Sequence, residues 1–91
     1  MTTFLKDPAA VIDYAVDWQA AYLADQTIAT SSWSIVPVGG LAVAAASHDA
    51  GRATVTLTGG TRGCVYRLTN RVGFSDGRSD ERSLDVRVED R

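Results

Sequence analysis

Leu84, Val86 and Val88 alternate with Asp85, Arg87 and Glu89 near the C-terminus, a period of two that describes an extended strand with one buried face. Ser75-Asp76-Gly77-Arg78 stands before it, and its Asp-Gly pair tolerates positive φ at both centres of a tight hairpin turn. The preceding strand, residues 64–72, is therefore expected to pair antiparallel with the last one. It places Tyr66, Leu68, Asn70 and Val72 on one side and Val65, Arg67, Thr69 and Arg71 on the other. Asn70 then falls at an inward position, where its amide needs hydrogen-bond partners from a neighbouring strand or loop.

Similar segments recur upstream. Residues 53–58 alternate small or polar with apolar side chains and are rich in β-branched residues, and Gly59-Gly60-Thr61-Arg62-Gly63 breaks them. Residues 41–46 read as a short strand of small residues, followed by a turn over 47–52. Pro37-Val38-Gly39-Gly40 separates it from Ser32-Trp33-Ser34-Ile35-Val36, in which Trp33 and Ile35 share a face. Turn signals about every ten residues are those of a sandwich or barrel. The first third fits two patterns. Val11, Tyr14, Ala15, Trp18 and Tyr22 lie at helical spacing behind Asp7-Pro8, while Ile12, Tyr14, Val16 and Trp18 alternate with Asp13 and Asp17 as a strand would. The β character of the other segments favours a strand over residues 10–18, then a turn or a short helical stub near residues 19–24.

With 91 residues, 45% of them hydrophobic, the chain can build one core and has little material to enclose a deep substrate cavity. Its single cysteine, Cys64, cannot make an intramolecular disulfide. No signal-peptide pattern opens the chain and no run of about 18 apolar residues occurs in it, so the expectation is a soluble protein with no membrane partner. The formal net charge of −2 offers no general attraction to nucleic acid. Charge is uneven: residues 1–51 hold one Lys against five Asp, a net of −4, whereas residues 52–91 hold eight Arg against six acids, a net of +2. Such halves could attract a partner head to tail, or mix on every surface of a sandwich.

Candidate chemistry is thin. Gly73-Phe74-Ser75-Asp76-Gly77 matches the G-x-S-x-G pattern, but a nucleophile elbow needs a helix after the turn and a histidine later in the chain. The only histidine, His48, comes earlier, which makes Ser75 a turn residue. Cys64 with His48 would be the one thiol–imidazole pair, and a lone cysteine at a strand start is more simply a small buried group. His48 beside Asp49 lacks the further ligands of a metal site, and Gly59-Gly60-Thr61-Arg62-Gly63 lacks the Lys-Ser/Thr ending of a phosphate loop. No catalytic residue, cofactor or metal is expected. Trp18, Tyr22 and Trp33 could form a sugar-stacking platform, but a small domain needs its aromatics for burial. Tyr66, three residues past Gly63, looks like a tyrosine corner that ties back to upstream backbone.

Phe4-Leu5-Lys6-Asp7-Pro8, Val11-Ile12-Asp13-Tyr14, Asp17-Trp18, Thr27-Ile28 and Trp33 resemble a family of small tailed-bacteriophage structural proteins. Leu57-Thr58-Gly59-Gly60-Thr61, Tyr66, Thr69-Asn70-Arg71 and Gly77-Arg78-Ser79-Asp80-Glu81-Arg82-Ser83 continue the similarity, which spans nearly the whole chain. Such proteins are described as fibre–tail adaptors or head–tail structural proteins. The resemblance implies an all-β, immunoglobulin-like β-sandwich of about seven short antiparallel strands, with no catalytic residues. It implies a virion protein made in the host bacterial cytoplasm, docking between larger virion proteins or onto copies of itself. The alternative is a small carbohydrate- or surface-binding sandwich. Residues 1–7 form an N-terminal arm ahead of a single domain over 8–91, and Phe4, Leu5 and Lys6 are its candidate docking residues. Pro8 biases Asp7 toward an extended conformation, so the arm either reaches a neighbouring subunit or folds back over an open end of the domain's own core. Trp18, Trp33, Tyr66 and Gly77 are expected to be structural.

Overall fold

The computed structural model describes residues 3–18 and 27–89. Seven strands run through them: β1 (Thr3–Lys6), β2 (Ile12–Asp17), β3 (Ile28–Val36), β4 (Leu41–His48), β5 (Arg52–Gly59), β6 (Val65–Phe74) and β7 (Ser79–Val88). One sheet has the order β1-β7-β6-β3 and the other β2-β5-β4. Their inner faces meet as a sandwich. At one end Leu41, Val55 and Leu57 pack on Tyr66, Leu68, Leu84, Val86 and Val88. Toward the other, Val16, Trp18 and Ala53 pack on Ile28, Val72 and Phe74, and Trp33 lies against both groups. Each fully buried side chain of this size contributes about 1.5–3 kcal/mol.

The alternation read in the last two strands is the pairing seen. Leu68 lies opposite Leu84 and Tyr66 opposite Val86, and Tyr66, Leu68, Asn70 and Val72 are all buried. For the ambiguous first third, β2 settles the matter in favour of a strand, because it pairs antiparallel with β5 and sets Tyr14 against Val55 and Val16 against Ala53. Non-local pairing overrides a spacing that suits a helix equally well. The helical stub expected near residues 19–24 lies outside the described residues.

Two expectations need correction. The ladder is not wholly antiparallel: β1 pairs parallel with β7, from Thr3 opposite Asp85 to Lys6 opposite Val88, because the chain enters alongside its own last strand. The hairpin turn does not place positive φ at both Asp76 and Gly77. Only Gly77 has it, at +91°. Gly77 N donates to Phe74 O at 3.0 Å and Phe74 N to Arg78 O at 2.8 Å, which makes a three-residue loop with glycine in the left-handed position that forms a bulge. Asp76 Oδ1 accepts from Arg78 N at 3.0 Å, a bond open to Asp without positive φ.

Candidate docking surfaces

The three residues singled out in the N-terminal segment sit in β1 and are treated differently by the fold. Lys6 is fully buried. Its Nζ donates to Gly59 O at 2.6 Å and to Asp7 O at 3.0 Å, so its ammonium group staples the entering strand to the end of β5. Burial pulls its pKa below the usual lysine value, and the Asp7 charge opposes part of that shift. Glu89 N donates to Lys6 O at 2.9 Å, extending the link to β7 beyond the strand itself. Phe4 and Leu5 stay accessible, at 37% and 45% exposure. Phe4 rests on Tyr14 with ring centroids 4.9 Å apart.

Because β1 pairs only with Asp85–Val88, the first half of β7 has no strand on that side among the described residues. A groove of about 240 Å³ opens there between the sheets, lined by Phe4, Ala15, Val16, Asp17, Arg82 and Leu84. Its rim carries both signs of charge and its floor is apolar, the composition of a small protein-binding cleft. The Asp7-Pro8 step behind it is a closed turn, with Ala10 N donating to Asp7 O at 3.0 Å and Ala9 N to Asp7 Oδ1 at 2.8 Å.

The residues expected to be structural are placed inside or at turns. Trp18 is sealed, its Nε1 donating to Asn70 Oδ1 at 2.8 Å, with Arg82 Cζ 4.8 Å from the indole centroid. Asn70 Nδ2 donates to Ser31 Oγ and to Ser32 O, each at 3.0 Å, which supplies the partners its inward position requires. Tyr66 Oη accepts from Thr61 N at 3.0 Å. Trp33 is half-buried between the two halves of the core. Trp18, fully buried, has no ring face open for stacking on a sugar, and Tyr22 lies outside the described residues.

The groups weighed for catalysis are held apart or occupied by the fold. His48 ends β4 opposite Ala53, whereas Cys64 packs against the core group around Tyr66 and Val88. Ser75 Oγ accepts from Thr27 N at 3.1 Å and Ser75 N donates to Thr27 O at 2.9 Å. These bonds make it a link between the β6–β7 loop and the start of β3, and a strand rather than a helix follows. Among the described residues no three His, Cys, Asp or Glu side chains cluster as metal ligands, and no helix is long and apolar enough to cross a membrane.

Sequence reasoning missed one surface altogether. Every residue of β4 after Leu41 is exposed, including those that face the inner side of the sandwich. Its short alanine-rich sequence shows no alternation of polar and apolar residues to flag it.

A small sandwich with a central Asn70 amide satisfied from within and with exposed apolar edges is a protein of the interaction-module class. The chain belongs to the phage family described as podophage GP4 fiber-tail adaptor protein gp77, whose model matches residues 6–87. Membership supports a virion structural adaptor role exercised through contact with other virion proteins. No curated protein matches closely enough to refine this. Phe4 and Leu5 precede the matched residues.

Proposed function

We propose that this chain is a non-enzymatic virion adaptor that docks between larger virion proteins at the fibre–tail junction. The observation that carries the proposal is the family match over residues 6–87. The docking element is the edge formed by β1 and the groove beside it, with Phe4 and Leu5 as apolar contacts and Lys6 as the internal staple that fixes their position. A partner side chain entering between Phe4 and Leu84 would bury surface that the domain leaves open. Burying Phe4 and Leu5 as well would contribute up to about 1.5–3 kcal/mol each, a useful share of an interface energy.

The sandwich itself is immunoglobulin-like in this reading. What supports it is the strand order: β2-β5-β4 faces β7-β6-β3, as the B-E-D strands of an immunoglobulin domain face G-F-C. Here β1 sits beside the last strand in place of the second. The Tyr66 hydroxyl, bonded five residues upstream, occupies the place of a tyrosine corner.

Leu5→Asp tests the docking edge, because it places a charge on an exposed position without removing the Lys6 bonds. Loss of the variant from assembled particles at an unchanged melting temperature is the expected result. Normal incorporation would rule out β1 as the docking edge.

A further inference from the structure

We propose that β4 is a second interaction edge and that its partner is another copy of this chain, with β4 pairing antiparallel to β4 about a two-fold axis. Among the described residues β4 is the outer strand of its sheet, and β5 is the one strand that pairs with it. Its free edge therefore carries backbone groups that another strand can satisfy.

Natural edge strands are commonly guarded by charged side chains, proline or bulges. β4, Leu-Ala-Val-Ala-Ala-Ala-Ser-His, contains neither charged Asp, Glu, Lys or Arg nor proline. Its one guard is a bulge between Val43 and Ala45. β3, the outer strand of the other sheet, lies on the same side and touches β4. It too is uncharged, and the whole stretch from Thr27 to Ser47 holds no Asp, Glu, Lys or Arg. By contrast, the outer strand β2 on the opposite side shows Asp13 and Asp17 to solvent.

The second copy follows from that charge distribution. In a two-fold contact each strand meets itself, so any charge near the axis meets its own sign. An uncharged side is what self-pairing needs, and only the β3–β4 side meets that condition. The surface is also apolar beyond the strand. Val43 faces inward opposite Leu57 yet is 39% exposed, and Val36 and Val38, at the junction of β3 and β4, are 64% and 95% exposed. A two-fold copy would cover all three.

Size is consistent with this. The molecule measures 42 × 23 × 20 Å between Cα extremes, so one long side offers about the 800 Å² per partner that a standard interface takes. An eight-residue strand edge alone would be too small. The contact must therefore spread across β3, β4 and the Val36–Val38 corner.

Sedimentation equilibrium of the full chain, from about 1 µM to about 1 mM, tests the proposal. The expected result is a mass twice that of the 9.7 kDa chain at the upper concentrations. Ala45→Lys should weaken association by about 100-fold or more, because two ammonium groups then meet across the axis, with an unchanged circular dichroism spectrum. If that variant misfolds, Ala42→Lys on the same strand replaces it. A single-chain mass throughout for the wild type, or a dimer undisturbed by a folded lysine variant, would overturn the proposal. A monomer that still enters virus particles would remove self-pairing and leave the adaptor reading standing.

Discussion

The indole Nε1 of Trp18 donates a 2.8 Å hydrogen bond to Oδ1 of Asn70, which lies 52 residues later in the chain. That bond spans the sandwich from the end of β2 to the middle of β6. Asn70 and Lys6 are the two buried polar or charged residues among those described, and both amide protons of Asn70 are engaged as well, by Ser31 Oγ and Ser32 O.

Asn70→Ala would leave a buried indole N–H without an acceptor, at a cost of about 1–3 kcal/mol for that group. Trp18→Phe removes the donor and leaves the Asn70 carbonyl oxygen short of it. Because the two side chains share one bond, the double variant should cost less than the sum of the singles, by about 0.5–3 kcal/mol. Urea unfolding of the four proteins measures this. Strict additivity would mean that the bond carries no coupling energy.

The turn after β5 offers a contrast between two glycines of similar backbone conformation. Gly59 has φ of +77° and Gly63 of +85°, but a Cβ on Gly59 would come 2.5 Å from Gly40 O, whereas one on Gly63 would meet nothing within 4 Å. Gly63→Ala should cost about 1–2 kcal/mol from backbone strain alone. Gly59→Ala should cost more, since Gly40 O already accepts from Gly60 N at 2.9 Å and cannot retreat without breaking that bond. Thermal melts that rank the two variants equally would contradict the close approach of these loops.

Asp49 makes one part of the stability depend on acidity. Its Oδ1 accepts from Gly51 N at 2.9 Å and Arg52 N at 2.8 Å. These two bonds hold its pKa below the usual 3.8; burial opposes them, and the Arg52 and His48 charges add smaller help. A carboxylate with a lowered folded pKa stabilises the fold above its unfolded pKa and loses that contribution as the pH falls through the folded value. Asp49→Ala should therefore lower the melting temperature at about pH 6 and lower it less at about pH 2. An equal difference at both would show that the carboxylate charge is not what the turn uses.

Much of this was legible in the chain itself, and the exceptions have physical reasons. β5, β6 and β7 carry period-two patterns with one apolar face, so their strands and faces could be read directly. Asn70 was conspicuous because it interrupts that face and demands partners, but which residues supply them, Trp18, Ser31 and Ser32, only the structure shows. β1 could not be read, since four residues are too few to show alternation and its parallel partner is the far end of the chain. Lys6 misleads for a related reason. A lysine in a terminal segment normally points to solvent, and only the backbone oxygens of Gly59 and Asp7 make its burial tolerable. β4 was legible as a strand over residues 41–46, but its exposure on both faces was not, because small side chains carry little periodic signal. The family resemblance indicated the adaptor role, and neither composition nor spacing did.

Electron microscopy of particles assembled with and without this protein tests the adaptor role most directly. Particles lacking it should have tails without attached fibres, and adding the purified wild-type chain should restore them. Fibre-bearing particles formed in its complete absence would contradict the account.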